Sequence, residues 1–312
     1  MAVFITGAGG FLGRSLVDTL IARGQRVLAF DYASPPDRVL EAWKGRAEFR
    51  QGDIRDAQAI AALIEESGRQ DPIVHLAGIL TAGCDRDPSA AIAVNLGGTR
   101  NVLEGALSQG RRVVFASTIG VYGRFLPQPI TEDMKLEPDG WYGLTKLMAE
   151  EMGLLYNRRH GLDFRAVRFA AVTGANRTAV GSASLFTSLI PEKAAKGEPY
   201  AIEVTPDTSY PVVYIKDAVD ALIRLMTVGE AKSRIYNIAS GNVVVSRMVE
   251  YVQKIIPGAR YTYEPVEDIM AVVSGYKEWT IGCGKAAAEI GWKLAYGVEK
   301  MADDIIAAVR GS

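Results

Sequence analysis

Tyr142 and Lys146 stand four positions apart in a stretch that reads as a helix opened by Asp139 and running to about Arg159, where His160-Gly161 stops it. At that spacing the two side chains share one helix face. An ammonium beside a phenol favours phenolate and lowers the tyrosine pKa from its reference near ~10. A tyrosine tuned in that way takes a proton from a hydroxyl on a bound substrate. Upstream, Arg112-Val113-Val114-Phe115-Ala116 reads as a buried strand running into Ser117-Thr118-Ile119-Gly120-Val121-Tyr122-Gly123. A hydroxyl there, such as Thr118, can hold the substrate oxygen and stabilise its charge. Most chance Tyr-x-x-x-Lys pairs mark a plain surface helix, so the surrounding elements decide what this one means.

Those elements begin at the first residues. Ala2-Val3-Phe4-Ile5-Thr6 is a short apolar, β-branched strand, Gly7-Ala8-Gly9-Gly10-Phe11-Leu12-Gly13 follows, and Leu12, Leu16, Val17, Leu20 and Ile21 recur at helical spacing. Strand, glycine turn and helix in that order cradle a pyrophosphate: Gly7 for the turn, Gly10 for backbone approach, Gly13 for close helix packing, with the helix N-terminus facing the anion. A second strand, Gln25 to Phe30, ends in Asp31. An acid at that point accepts hydrogen bonds from an adenosine ribose and repels a 2′-phosphate, which favours NAD over NADP. With an oxidised nicotinamide beside Tyr142, hydride leaves the carbon whose hydroxyl loses its proton, and the nicotinamide's charge also favours phenolate.

Strands and helices then alternate. Asp53, after a third strand at Glu48 to Gln51, can accept from an adenine amino group or cap the helix from Ala57 to Ser67. Pro72 to Gly78 is a fourth strand with a small-residue exit, and His75 inside it reads as a core or supporting histidine rather than a catalytic one. Pro88 to Ser108 reads as one long helix whose apolar face is interrupted by Asn95, either a structural hydrogen-bonder or a tether for the site. The sixth strand is Phe164 to Phe169. After it the alternation breaks, with a helix near Ser184 to Ala195 and a strand at Tyr200 to Val204 outside the main sheet. Val212 to Ile215 with the helix Asp217 to Met226, and Arg234 to Ile238, read as a return to it. The expected architecture is therefore α/β, a Rossmann-type doubly wound parallel sheet with a smaller, discontinuous C-terminal substrate-binding domain. Residues 1–172 plus about 212–243 would form the NAD-binding part, and about 173–211 with 244–312 the substrate-binding part.

At 312 residues, with 48% hydrophobic and 23% charged residues, the chain is long enough for a large core and an elaboration upon it. A net charge of -1 supplies no basic face and argues against nucleic acid. Two cysteines are too few for a disulfide framework, and two histidines leave little for a metal site. No apolar run reaches transmembrane length and no leader is evident, so the expectation is a cytoplasmic protein with a small-molecule substrate and no membrane partner.

Taken together, Thr6-Gly7-Ala8-Gly9-Gly10-Phe11-Leu12-Gly13, Asp31, Gly52-Asp53-Ile54, His75-Leu76-Ala77-Gly78, Val94-Asn95, Ser117 to Gly123 and Tyr142-Gly143-Leu144-Thr145-Lys146 resemble the extended short-chain dehydrogenases/reductases, in the branch of NAD-dependent epimerases and dehydratases. The resemblance implies Thr118, Tyr142 and Lys146 as catalytic residues. It implies cofactor contacts from Gly7, Gly10, Phe11, Leu12, Gly13, Asp31, Asp53, Ile54, Leu76, Ala77, Gly78, Asn95, Tyr142, Lys146 and Phe169. It also implies a homodimer through the helices carrying Asn95 and Tyr142.

The departures narrow the substrate. Sugar-nucleotide epimerases carry Asn-Pro after the sixth strand and an Arg-Asp pair before the seventh; here Ala170-Ala171 and Tyr210-Pro211 stand instead, and no arginine lies between Asp268 and Lys285. Without those guanidinium forks the chain lacks the grip a nucleotide diphosphate needs, and a smaller, less anionic substrate follows. Ser117 to Val121 and Asp207 to Tyr214 resemble the epimerase-like L-threonine dehydrogenases, although the stretch after Phe169 does not. The expectation is an NAD-dependent dehydrogenase acting on a secondary hydroxyl of a sugar, sugar acid or hydroxy amino acid. The alternative is a nucleotide-sugar epimerase or dehydratase that retains its cofactor. A redox-sensing binding module is disfavoured because Thr118, Tyr142 and Lys146 are all retained. Thr118 and Tyr142 would touch substrate; Arg177 can pair with a substrate carboxylate, and Thr81, Ser182 and Ser184 can bind hydroxyls or simply be solvated loop residues. Cys84 reads as a spectator.

Overall fold

The computed structural model describes residues 2–68, 71–124, 126–177, 182–277 and 279–311. The first half comprises β1 (Val3–Thr6), α1 (Phe11–Ala22), β2 (Val27–Asp31), α2 (Asp37–Trp43), β3 (Ala47–Gln51), α3 (Ala57–Ser67), β4 (Ile73–His75), α4 (Thr81–Arg86) and α5 (Pro88–Ala91). A π-helical stretch (Ile92–Gly98) joins α5 to α6 (Thr99–Ser108); β5 (Val113–Thr118), a 3-10 turn (Ile119–Val121), α7 (Trp141–His160) and β6 (Phe164–Phe169) follow. The remainder is β7 (Ala171–Thr173), α8 (Phe186–Ala195), β8 (Tyr200–Ile202), β9 (Ser209–Tyr214), α9 (Ile215–Thr227), β10 (Ile235–Ile238), β11 (Gly241–Val244), α10 (Val245–Ile255), β12 (Tyr261–Tyr263), α11 (Glu267–Val273), a 3-10 turn (Ser274–Tyr276), α12 (Gly284–Ile290) and α13 (Val298–Arg310).

Seven parallel strands form the central sheet in the order β10-β6-β5-β4-β1-β2-β3. Every residue of β1 and β6 is buried, as expected of strands covered on both faces. The strand order reverses direction at β1, and α/β sheets bind ligands at the carboxyl ends beside such a reversal. On one face α1 buries Leu16, Val17, Leu20 and Ile21, the spacing read from the sequence. There α1 and α9 belong to one apolar cluster, while α3 and α6 pack with Phe4, Phe115 and Phe164 on the other face. Buried Arg165 on β6 donates to the carbonyls of Leu225, Val228 and Gly229, satisfying orphan acceptors at the end of α9.

Several expectations give way. β9 does not return to the central sheet: it pairs with β7 and β11 in a separate three-stranded sheet, because its side chains complete a second apolar cluster with α8, α10 and α13. The strand at Tyr200 lies outside the main sheet, as read, and pairs with β12. Pro88 to Ser108 is helical throughout but changes pitch in the π-helical stretch around Asn95. Asp56, not Asp53, caps α3, accepting from Gln58 and Ala59 N–H, since Asp53 is held by Arg55. Asp139 does not cap α7 either: Gly140 is the N-cap, and Asp139 instead pairs with Arg124. Among the described residues no helix is long and apolar enough to cross a membrane.

Candidate active site

The glycine loop between β1 and α1 follows the sequence reading. Gly7 has φ +73°, and a Cβ there would sit 2.6 Å from Ala77 N, while one on Gly13 would lie 2.7 Å from Ala8 Cα. Gly10 opens α1 with no side-chain cap and no acid in the first turn, so the helix N-terminus is left for an anion. Across the loop, Asp31 accepts from Gly9 N–H at 2.8 Å, which fixes the carboxylate at the end of β2. Leu76 is tied to Thr6, and Gly78 lies beneath Asn95 and Lys146. Buried Ile54 packs on Gly98, and Asn101 holds its carbonyl at 3.0 Å. This cradle fits a dinucleotide. Asp53 is the exception, its carboxylate bound by Arg55 and kept below the usual range by that hydrogen bond.

β5 delivers Thr118 to the carboxyl edge, with Phe169 of β6 its register partner. The Thr118 hydroxyl accepts from Gly120 N–H at 3.1 Å, leaving its own proton to donate. The first turn of α7 abuts this turn closely: a Cβ on Gly143 would meet the Gly120 carbonyl. Glycine at 143 thus lets the first turn of α7, which carries Tyr142, pack on the turn that follows Thr118. Lys146 Nζ donates to Ala116 O at 2.8 Å and lies 4.5 Å above the Phe115 ring and 5.9 Å from the Tyr142 ring.

The charge state differs from the sequence expectation. Burial pushes the Tyr142 phenol up, not down, and burial draws Lys146 down to about 8. Desolvation dominates for both groups, and the ammonium gives its hydrogen bond to the Ala116 carbonyl. One turn further along α7, Glu150 makes a fully buried pair with Arg168 at 2.7 Å, and Arg168 also donates to Tyr122. Its i+4 spacing from Lys146 is the one sign of it that the sequence carries.

Asn95 is a tether: it accepts from Ile79 N–H at 2.7 Å and donates to Ile79 O and to Thr145 on α7. Cys84 is buried beneath it, its thiol pushed up by burial. Arg177, Ser182 and Ser184 form one cluster; the guanidinium donates to both hydroxyls, at 2.9 and 3.1 Å, and to Ser184 O. Burial draws Arg177 down to about 10, and no carboxylate contacts it among the described residues. Thr81 opens α4, exposed and outside this cluster. The sequence reading missed the aromatic run Phe186, Tyr210, Tyr276 and Trp279, with successive ring centroids 6.3, 5.3 and 4.8 Å apart. Tyr210 stands where nucleotide-sugar enzymes would carry arginine, which was its available signal.

A parallel Rossmann sheet with this glycine loop and a Tyr/Lys helix defines a dinucleotide-dependent oxidoreductase. Comparison with known proteins makes the class specific. The profile of the NAD dependent epimerase/dehydratase family matches residues 3–239. The mitochondrial L-threonine 3-dehydrogenase of Bos taurus is 30% identical over 93% of this chain and 78% of its own length. The crystal structure of L-threonine dehydrogenase from Phytophthora infestans superposes with a TM-score of 0.88 at 28% identity, covering 100% of this chain and 99% of that one. A UDP-glucose 4-epimerase complex with NAD from Thermus thermophilus gives 0.83 at 25% identity, with 100% of both chains covered. The chain belongs to the NAD-dependent epimerase/dehydratase family, within the extended short-chain dehydrogenases/reductases. It is an enzyme, and NAD is its cofactor.

Proposed function

We propose that this enzyme is an NAD-dependent dehydrogenase oxidising a secondary hydroxyl on a small carboxylate-bearing substrate, a sugar acid or hydroxy amino acid. The observation that carries the reading is Arg177, a half-buried guanidinium whose partners among the described residues are two hydroxyls and a carbonyl. Burying a charge without a counter-ion is costly, and a substrate carboxylate is the anion that would offset it. Ser182 and Ser184 then orient the guanidinium, and Tyr210 walls the site beside it.

Bound NAD supplies the hydride acceptor. It is held by Gly7, Gly10 and Gly13, the start of α1 at Phe11 and Leu12, Asp31, and the Leu76 to Gly78 exit of β4. Thr118 donates to the substrate oxygen, and Tyr142 takes the hydroxyl proton. Lys146 holds positive charge near Tyr142, which lowers the cost of the phenolate that burial alone disfavours, and bound oxidised nicotinamide would supply further positive charge. The absent diphosphate arginines favour this reading over nucleotide-sugar epimerisation. The molecule acts as a homodimer, supported by exposed Ile92, Leu144, Met148 and Leu155 on the paired helices carrying Asn95 and Tyr142.

The test is NADH formation, followed by absorbance, with sugars, aldonic and uronic acids, L-threonine and related hydroxy acids, each acid paired with its methyl ester. Turnover of an acid but not its ester supports the reading. Turnover of neutral sugars alone, or silence with NAD retained on the purified protein, refutes it, the latter in favour of an epimerase.

A further inference from the structure

Between the glycine loop and the Tyr/Lys helix runs a buried line of hydrogen bonds that the chemistry above does not use. Thr6, the last residue of β1, lies 2.7 Å from His75 Nδ1 through its hydroxyl, and that hydroxyl also accepts from Ala77 N–H at 3.4 Å. On the other side of the imidazole, Nε2 lies 2.9 Å from the Thr99 hydroxyl. Thr99 in turn donates to Asn95 O at 2.5 Å. Asn95 then reaches the Ile79 turn and the Thr145 hydroxyl, and Thr145 donates to Tyr142 O at 3.0 Å.

Proton bookkeeping gives the line a direction. A threonine hydroxyl has one proton, and that of Thr99 is committed to Asn95 O. Thr99 can therefore only accept from His75, which puts the imidazole proton on Nε2. Nδ1 is then an acceptor, so Thr6 donates to it, and Thr6 keeps a lone pair for Ala77 N–H. With the proton on Nδ1 instead, Nε2 would be an acceptor facing a hydroxyl with no proton left. The first arrangement satisfies every group; the second strands one in the core.

We propose that His75, locked as the Nε2–H tautomer, is a positioning residue that couples the glycine loop to the π-helical stretch at Asn95, and through Asn95 to Ile79 and the Tyr142/Lys146 helix. The proposal rests on the assignment of Tyr142 and Lys146 to the reacting end of the site. Its consequence is reciprocal: NAD seated on the loop steadies the reacting end, and damage at Thr99 is felt at the loop.

The coupling is read by NAD titration of the full chain without substrate, in wild type, Thr6→Val, Thr99→Val and the double variant. Thr99 makes no hydrogen bond to the glycine loop, yet Thr99→Val is expected to weaken NAD binding about tenfold. The double variant is expected to be little worse than the weaker single one, because either change breaks the same line. Thr99→Ser, which keeps the hydroxyl, should restore wild-type affinity and so separates coupling from lost folding. Unchanged NAD affinity in Thr99→Val, or strictly additive losses, overturns the proposal. With only two histidines in the chain, nitrogen NMR resolves His75: an Nε2–H signature that shifts in Thr99→Val supports the tautomer, and an Nδ1–H signature in wild type overturns it. Because no substrate is present, these outcomes are independent of whether a hydroxy acid is turned over.

Discussion

Local spacing is enough to single out Tyr142, Lys146 and Thr118 as candidates, whereas the charge states of Tyr142 and Lys146 are not legible there, since burial is a property of the folded chain. Tyr142→Phe is expected to abolish turnover while NAD titration stays near wild type; a fully active variant would sink the mechanism. Lys146→Met should do two opposite things. It removes turnover, and it raises the unfolding temperature, because an ammonium drawn down to about 8 by burial opposes folding at neutral pH. Arg177→Leu should raise KM for the carboxylate substrate about a hundredfold with a smaller change in kcat, as expected when a partner of a buried charge pair is lost. His75 gives a stability signature. Burial draws its pKa down to about 3, against about 6.5 in the unfolded chain. Its neutral form therefore stabilises the fold fully above the unfolded value, and that contribution is lost as pH falls. Relative to His75→Gln, wild type should lose about 1.4 kcal/mol between roughly pH 7.5 and 5.5, measured by denaturant unfolding.

Elements divide in the same way. The ends of α3 at Ser67 and of α7 at His160-Gly161 are readable in the sequence, but the caps are not, because acids near the helix starts compete and only geometry assigns them. Asp56 caps, Asp53 holds Arg55, and Asp139 binds Arg124. Asn95 interrupts the apolar face of its helix, but the interruption alone does not signal the change of pitch there. Nor could composition show that β9 joins a different sheet from β10, as both read as buried strands. The arginine and two serines picked out after β7 were separate candidates in the sequence, and only the fold makes them one cluster. The contact of α7 with the Thr118 turn offers a test at this scale. Gly143→Ala would press a methyl on the Gly120 carbonyl, costing about 1–3 kcal/mol of stability and moving Tyr142 away from Thr118. The expected result is a lower unfolding temperature and a fall in kcat larger than the change in NAD affinity.

For the whole molecule, the α5 to α7 face is the surface on which assembly can be tested. Met148→Glu should leave a monomer by sedimentation if that face pairs two copies, and an unchanged dimer would move the interface elsewhere. The route of the chain has a separate consequence. It leaves the central sheet after β6, builds β7, α8, β8 and β9, returns for α9 and β10, and leaves again at β11. None of the three sheets among the described residues is made from one continuous length of polypeptide, so a single cut cannot release any of them as a whole. Melting should therefore follow one cooperative transition, with calorimetric and van't Hoff enthalpies in agreement. Limited proteolysis should pass from intact protein to small peptides without a persistent half-sized core. A mutation around Arg177 then weakens the central sheet as well, so change in that cluster is constrained by the stability of the entire chain.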